Sequence, residues 1–179
     1  EMKQNKTLDY NFQLSEVSPK IYKIMTNIQK FIDNKIPTGK VLIYSEFRGD
    51  SGAEALENTL QINGYSLYDP RSPSTKSLKY TFITGEEGPD QRRMNMDAFN
   101  DSSNKYGEQI QVMIISGAGA EGISLECVRQ VHILEPYWNF VRVDQVFGRA
   151  IRLHSHDDLD SKERTVEEYV YLSVLPGGE

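Results

Sequence analysis

Cysteine is almost missing from this 179-residue chain, and the single Cys127 excludes an internal disulfide. That fits a reducing compartment, and equally any enzyme built without staples. No apolar run approaches the roughly 20 residues of a membrane span, and the start lacks the basic, apolar and small-residue order of a secretion signal. These absences predict a soluble, intracellular protein with no membrane partner. Histidine occurs three times: His154 and His156 stand beside Asp157 and Asp158, but no further His or Cys spacing supports zinc, so a solvated turn and no metal site are expected. Also lacking is GxxxxGK[ST], the glycine loop and lysine that cradle phosphates and place their Mg2+, and no DExx tetrad follows a strand. Glu86-Glu87 and Asp157-Asp158 lie in polar stretches and read as solvated faces.

A hydrophobic content of 38% over this length supports one well-buried domain and not two large ones. The net charge of -6 argues against coating nucleic acid by bulk electrostatics, while leaving room for a local basic track. Glu1 at one end and the Val-Leu-Pro-Gly-Gly-Glu run at the other look cut from something longer, so the chain is read as a fragment.

Patterning predicts strands alternating with helices. Ser18-Pro19 followed by Ile21, Ile24, Met25, Ile28, Phe31 and Ile32 predicts a helix from Pro19 to about Asn34. Residues 1–36 are expected to form this helix and a lead-in packed on a domain of residues 37–179. Val41 to Tyr44 reads as a buried strand, Ser51 to Asn63 as a helix and Tyr68 to Lys79 as a surface loop. Tyr80 to Thr84, Val112 to Ile115, Val131 to Leu134 and Tyr169 to Leu175 read as strands, with helices over Asp90 to Phe99 and Asn139 to Leu153. This alternation implies an α/β fold: a mostly parallel sheet with right-handed crossovers and helices on both faces. Ligands of such sheets bind beyond the carboxyl ends of the strands. The loops after Tyr44, Thr84, Ile115 and Leu134 are therefore the candidate sites.

Those loops are rich in chemistry. Ser45-Glu46-Phe47-Arg48-Gly49 sets a guanidinium at the sheet edge, Thr84-Gly85 precedes Arg92 and Arg93, and Ser116 to Gly122 carries three glycines able to turn backbone N–H groups toward a phosphate. A tight turn explains the same glycines. Gly117, Gly119 and Gly122 match a dinucleotide GxGxxG formally, but too late in the chain and without a convincing acidic ribose partner. The most informative segment is Gln145-Val146-Phe147-Gly148-Arg149-Ala150-Ile151-Arg152. Arginines three apart on a helix share a face, and Gly148 lets a backbone or phosphate approach. A guanidinium aimed at a transferring phosphoryl group supplies roughly 10³ to 10⁵ in rate. Tyr137-Trp138 offers base stacking or packing under the following helix.

Taken together, Val41 to Leu175 resembles the second RecA-like domain of superfamily 2 helicases and translocases, in the branch with the nucleoside triphosphatases and early transcription-factor helicases of large DNA viruses. Val41 to Arg48 is similar to motif IV, and Thr84-Gly85, Arg92 and Phe99-Asn100 to a spacing found in chromatin-remodeller-type translocases. Ile115 to Leu125 is similar to motif V, and Gln145 to Arg152 to the QxxGRxxR of motif VI. The resemblance implies a three-layer RecA-like sandwich. It implies that Arg149 and Arg152 face the β- and γ-phosphates of ATP, with Arg152 as arginine finger. Gln145, Gly148, Gly122, Glu121 and Ser124 would serve nucleotide binding and coupling, although Ser124 stands where relatives often carry Asp or Asn. Ser116, Gly117, Arg48, Ser45 and Thr84 would serve the nucleic-acid backbone, which a motor grips without reading bases.

The implied cofactors are ATP and Mg2+, held mainly by an N-terminal RecA-like domain. The implied partners are that domain, DNA or RNA, and viral transcription machinery, in host cytoplasm or virion. With no P-loop of its own, the chain is expected to supply half a site and to hydrolyse little ATP alone. The alternative is a non-catalytic RecA-like module binding nucleic acid or a transcription partner. Two retained arginines speak against it.

Overall fold

The computed structural model describes residues 13–33, 36–49, 52–71, 78–136 and 140–174. Helix α1 (Pro19–Gln29) opens on a proline, whose missing N–H costs nothing in a first turn. It ends five residues before the predicted Asn34. Phe31 and Ile32 continue the apolar spacing but leave the helix: the Phe31 carbonyl accepts from the Thr38 N–H at 2.8 Å, and β1 (Ile32–Asp33) pairs antiparallel with β2 (Ile36–Pro37). The Phe31 ring lies under the Arg129 guanidinium, 5.4 Å from its centroid, and a Cβ at Gly39 would fall 2.4 Å from that ring. Gly39 is fixed by this close approach.

The central sheet comprises β3 (Lys40–Tyr44), β4 (Ser66–Leu67), β5 (Lys79–Ile83), β6 (Val112–Ile115), β7 (Val128–Ile133) and β8 (Glu167–Val170). Its order is β4-β5-β6-β3-β7-β8, and every pairing in it is parallel. Strand β3 lies between β6 and β7 and is buried throughout, which is why it reads as a continuous apolar run. Val41 and Ile43 face one core with Ile21, Ile24 and Ile28 of α1 and Leu56 and Leu60 of α2 (Ala53–Ile62). Leu42 and Tyr44 face the other, with Phe99 of α3 (Pro89–Asn100) and Val143, Val146 and Ala150 of α4 (Phe140–Ala150). Each fully buried aliphatic side chain contributes roughly 1.5–3 kcal/mol, an upper value for an extended unfolded reference.

The structure moves several predicted boundaries. Ser66–Leu67, just before the predicted loop, forms an edge strand, and the Tyr68 N–H reaches the Tyr80 carbonyl at 2.8 Å. Strand β7 begins at Val128 and β8 at Glu167, earlier than apolar content suggested, because parallel pairing continues through Gln130 and two glutamates with Arg129 skipped at a register shift; β8 ends at Val170, so Tyr171 to Val174 of the predicted strand lie outside it. Helix α4 stops at Ala150 instead of Leu153. The Ser155 hydroxyl donates to the Arg152 carbonyl at 2.8 Å, and His154 adopts φ 68°, so the chain turns at this point. Tyr137, Trp138 and Asn139 lie outside the described residues, as does Leu175.

Buried polar groups tie the layers together. The ring of His132 accepts from the Tyr171 hydroxyl at 2.8 Å on Nδ1 and donates to Gln130 Oε1 at 3.1 Å from Nε2, the tautomer that satisfies both partners. Asn27 of α1 donates to the Tyr171 hydroxyl at 3.0 Å, and Gln130 returns a bond to the Asn27 carbonyl at 3.1 Å. Burial drives the His132 imidazole down to a pKa of about 3. Across the sheet, buried Lys40 donates to the Phe99 carbonyl at 2.7 Å and sits 4.6 Å from the centre of its ring; burial lowers its pKa to about 8.

Candidate functional site

The carboxyl end of β3 and the loop after β6 face α4 across a cleft. Strand β6 ends at Ile115, and Ser116 turns the chain back: its hydroxyl donates to the Thr84 carbonyl at 2.7 Å, and the Gly119 N–H approaches the same hydroxyl at 3.3 Å. A Cβ on Gly119 would stand 1.6 Å from the Ile83 carbonyl oxygen, so the loop packs on β5 only because this residue is glycine. Gly122 has φ +70° and open space beside it, so its glycine serves backbone conformation. From below, Arg92 of α3 donates to the Gly119 carbonyl at 3.1 Å and to the Glu121 carbonyl. Asn100 donates to the Ser124 carbonyl at 2.8 Å and accepts from the Glu126 N–H at 3.0 Å. These bonds give a physical role to the Arg92 and Phe99-Asn100 spacing. The Leu125 N–H then donates to the Arg149 carbonyl at 3.0 Å, joining loop to helix.

A cleft of about 340 Å³ opens between this loop and α4, lined by Gly117, Glu121, Gln145 and Arg149 from the expected set and by Tyr44, Glu46, Ala118, Ala120 and Val146. Tyr44 and Glu46 were not anticipated, although the polar residue following a buried strand was the available signal. The Tyr44 hydroxyl donates to the Glu46 carboxylate, and a Cβ on Gly117 would lie 3.3 Å from it. Arg152 lies two residues past the end of α4 and is exposed; its Nε donates to the Gly148 carbonyl at 2.9 Å. At Gly148 an added Cβ would meet nothing within 4 Å. Of the expected set, Arg152, Gly148, Gly122 and Ser124 are exposed and outside the lining of the cleft, and because α4 ends at Ala150 the two arginines do not share one helix face.

The loop residues expected to meet nucleic acid form a second group. Ser45 is buried, its hydroxyl donating to the Phe47 carbonyl at 2.7 Å and approaching Glu135 Oε2 at 3.0 Å. Burial raises the Glu135 carboxyl, against the opposing pull of the Ser45 and Glu46 bonds. Thr84 is also buried: its N–H and hydroxyl each donate to Glu87 at 2.8 Å, and the Gly85 N–H donates there at 3.0 Å. Burial alone would raise the Glu87 carboxyl, but these bonds and one from its own backbone hold it below the usual range. Arg48 donates to the Thr84 carbonyl and pairs with Glu86. Arg48 and Thr84 line a cleft of about 400 Å³ with Glu54, Glu57, Glu86 and Glu87. Arg48 and Gly117 are the half-exposed members of the group, while Ser45, Thr84 and Ser116 are buried.

Among the described residues no cluster of three or more His, Cys, Asp or Glu is arranged to hold a metal ion. Nor is any described helix long and apolar enough to cross a membrane. His154 bonds Asp157 at 2.7 Å, and His156 faces the Val128 carbonyl at 2.7 Å.

Residues 23–154 match the helicase conserved C-terminal domain. The chain is 32% identical over 164 residues to a protein of Acanthamoeba polyphaga mimivirus named as an ATP-dependent RNA helicase, covering 92% of this chain and 27% of that protein. It is 34% identical over 190 residues to an African swine fever virus protein named as a termination factor NPH-I homolog, covering 88% of this chain and 26% of that protein. The chain thus spans about a quarter of the length of these curated relatives. In fold it is similar to the C-terminal part of the Fun30 ATPase domain, with TM-score 0.59 and 23% identity over 84% of this chain and 40% of that one. The yeast DEAD-box splicing factor Prp28 gives TM-score 0.56 and 17% identity over 85% of this chain and 26% of that one. The three-layer, parallel-sheet architecture is the RecA-like one of these helicase C-terminal domains, viral helicase-like proteins are among the chain's relatives, and the chain belongs to the helicase conserved C-terminal domain family.

Proposed function

We propose that this domain is the C-terminal motor half of an ATP-dependent DNA or RNA helicase or translocase that works with viral transcription machinery. ATP and Mg2+ are held mainly by an N-terminal RecA-like domain of the same protein, and the present domain completes the site. The observation that carries this reading is the cleft in which Arg149 and Gln145 of α4 meet Gly117 and Glu121 of the glycine loop. Arg149 offers a planar, permanently charged donor set to phosphate oxygens. Arg152, exposed just past the end of α4 with its Nε bonded to the Gly148 carbonyl, acts as the finger. Gly122, Glu121 and Ser124 follow the nucleotide from the loop side, and Gln145 couples it to the track.

At the rim built from Ser45, Arg48, Thr84, Ser116 and Gly117, only Arg48 and Gly117 are exposed enough to face the nucleic-acid backbone. Arg48 and the Gly117 main chain are outermost, and the three hydroxyl side chains brace the loops. Nucleotide closes the two domains on each other, hydrolysis opens them, and alternating grip at this rim moves the strand.

The test is ATPase activity of the intact protein and of this domain alone, each with and without single- and double-stranded DNA and RNA. The intact protein hydrolyses ATP and is stimulated by at least one nucleic acid, while the isolated domain is silent. An intact protein that binds nucleic acid but never hydrolyses nucleotide would instead be a binding module.

A further inference from the structure

We propose that Glu86 is a built-in competitor for the nucleic-acid backbone, occupying the Arg48 guanidinium until a phosphate displaces it. The inference rests on the reading that Arg48 faces nucleic acid. Arg48 makes two bonds at the sheet edge, one to the Thr84 carbonyl and one to the Glu86 carboxylate. The first is to main chain at the end of β5 and fixes where the guanidinium stands. The second is to a side chain that is 75% exposed, against 37% for Arg48.

The loop carrying Glu86 is built to release that side chain without coming apart. Glu87 receives bonds from the Thr84 N–H, the Thr84 hydroxyl and the Gly85 N–H, which anchor the loop backbone. Gly85 at φ +87° and Gly88, beside which nothing lies within 4 Å, flank the two glutamates. Only the Glu86 side chain has to move for Arg48 to become available. The surroundings make the competition matter: Glu54, Glu57 and Glu87 line the same cleft, so an Arg48 without its phosphate stands in a negative field. A polyanion must displace Glu86 against that field.

An exposed ion pair of this kind shifts a competing equilibrium by about two- to fivefold. The experiment measures equilibrium binding of a fluorescent single-stranded oligonucleotide to the intact protein across a salt series. Four proteins are compared with wild type: Glu86→Gln, Arg48→Ala, the double variant, and Glu54→Gln as a control for removing one negative charge from the same cleft. Glu86→Gln tightens binding about two- to fivefold at low salt, more than Glu54→Gln does, and the gain disappears in the Arg48→Ala background. Binding weakened by Arg48→Ala but unchanged by Glu86→Gln overturns the competition while keeping the nucleic-acid reading. A Glu86→Gln gain that persists without Arg48, or is matched by Glu54→Gln, reduces the effect to net charge and also overturns it. Binding indifferent to Arg48→Ala contradicts both the competition and the role of Arg48.

Discussion

The Ser116 hydroxyl donates to the Thr84 carbonyl at 2.7 Å, and Arg48 donates to the same oxygen, so the ends of β3, β5 and β6 converge on a single acceptor. Ser116→Ala leaves that carbonyl to Arg48 and removes about 1 kcal/mol. The urea midpoint of the domain falls accordingly, and nucleic-acid stimulation of the intact protein's ATPase falls more than its basal rate. An unchanged midpoint would show that the hydroxyl does not brace the loops.

Gly148 and Gly119 separate two uses of glycine. Gly148 lies in α4 with open space beside it, so Gly148→Ala gains up to about 1 kcal/mol from helix propensity. If that space receives phosphate, the same variant loses ATPase activity: a raised melting temperature with a lowered rate. Gly119→Ala instead drives a Cβ against the Ile83 carbonyl and lowers stability and activity together. Thermal melts and ATPase rates on both variants check this, and full activity in Gly148→Ala contradicts the phosphate approach.

His132 makes stability pH-dependent. Burial is the main cause of its descent from 6.5 to about 3, with the Lys30 charge a lesser one. Because the folded value lies below the unfolded value, the unfolded chain binds the extra proton between them. The contribution is complete above pH 6.5 and is lost as pH falls toward 3, at about 1.4 kcal/mol per pH unit. Urea midpoints measured from pH 7 to pH 5 fall in wild type. In His132→Gln the midpoints start lower, reflecting a stability loss of about 1–3 kcal/mol through the bonds lost to Tyr171 and Gln130, and fall less steeply. Equal slopes would mean that His132 does not dominate the acid response.

Most of the architecture is legible from residue patterning. Val41 to Tyr44 and Val112 to Ile115 are apolar throughout because the sheet is covered on both faces, and structure reproduces both strands nearly residue for residue. Edge and end residues are less legible. Ser66–Leu67 is too short to show a period, and β8 carries glutamates because edge positions are exposed. Phe31 has core-like hydrophobicity but is drawn out of α1 by Arg129 and the turn to Thr38. At the candidate site, motif spacing singles out Arg149, Gln145 and the glycine loop, and these line one cleft. The spacing of Arg92 and Phe99-Asn100 is visible too, but what Arg92 and Asn100 hold, the carbonyls of that loop, and the place of Tyr44 and Glu46 on the cleft depend on contacts between distant segments that no local spacing encodes.

Lys40 tests how a buried ammonium is tolerated. The Phe99 carbonyl it donates to also accepts from Asn104 at 3.0 Å, so removing the charge does not orphan the acceptor. Lys40→Met keeps the stem's volume, removes a desolvated charge and changes stability by less than about 1.5 kcal/mol in either direction. Lys40→Ala leaves a cavity and costs about 2–5 kcal/mol. Denaturant melts of the two variants decide it, and a Met variant as damaged as the Ala variant would show that the ammonium itself holds β3 to α3.

The central claim is that Arg152 completes an ATP site whose remainder lies on another domain, and it is tested most directly in the intact protein by Arg152→Ala. Steady-state ATPase and equilibrium nucleotide binding are measured side by side, with nucleic acid saturating. The account predicts hydrolysis reduced by about 10³-fold or more with nucleotide affinity largely kept; near-normal hydrolysis in this variant would contradict it.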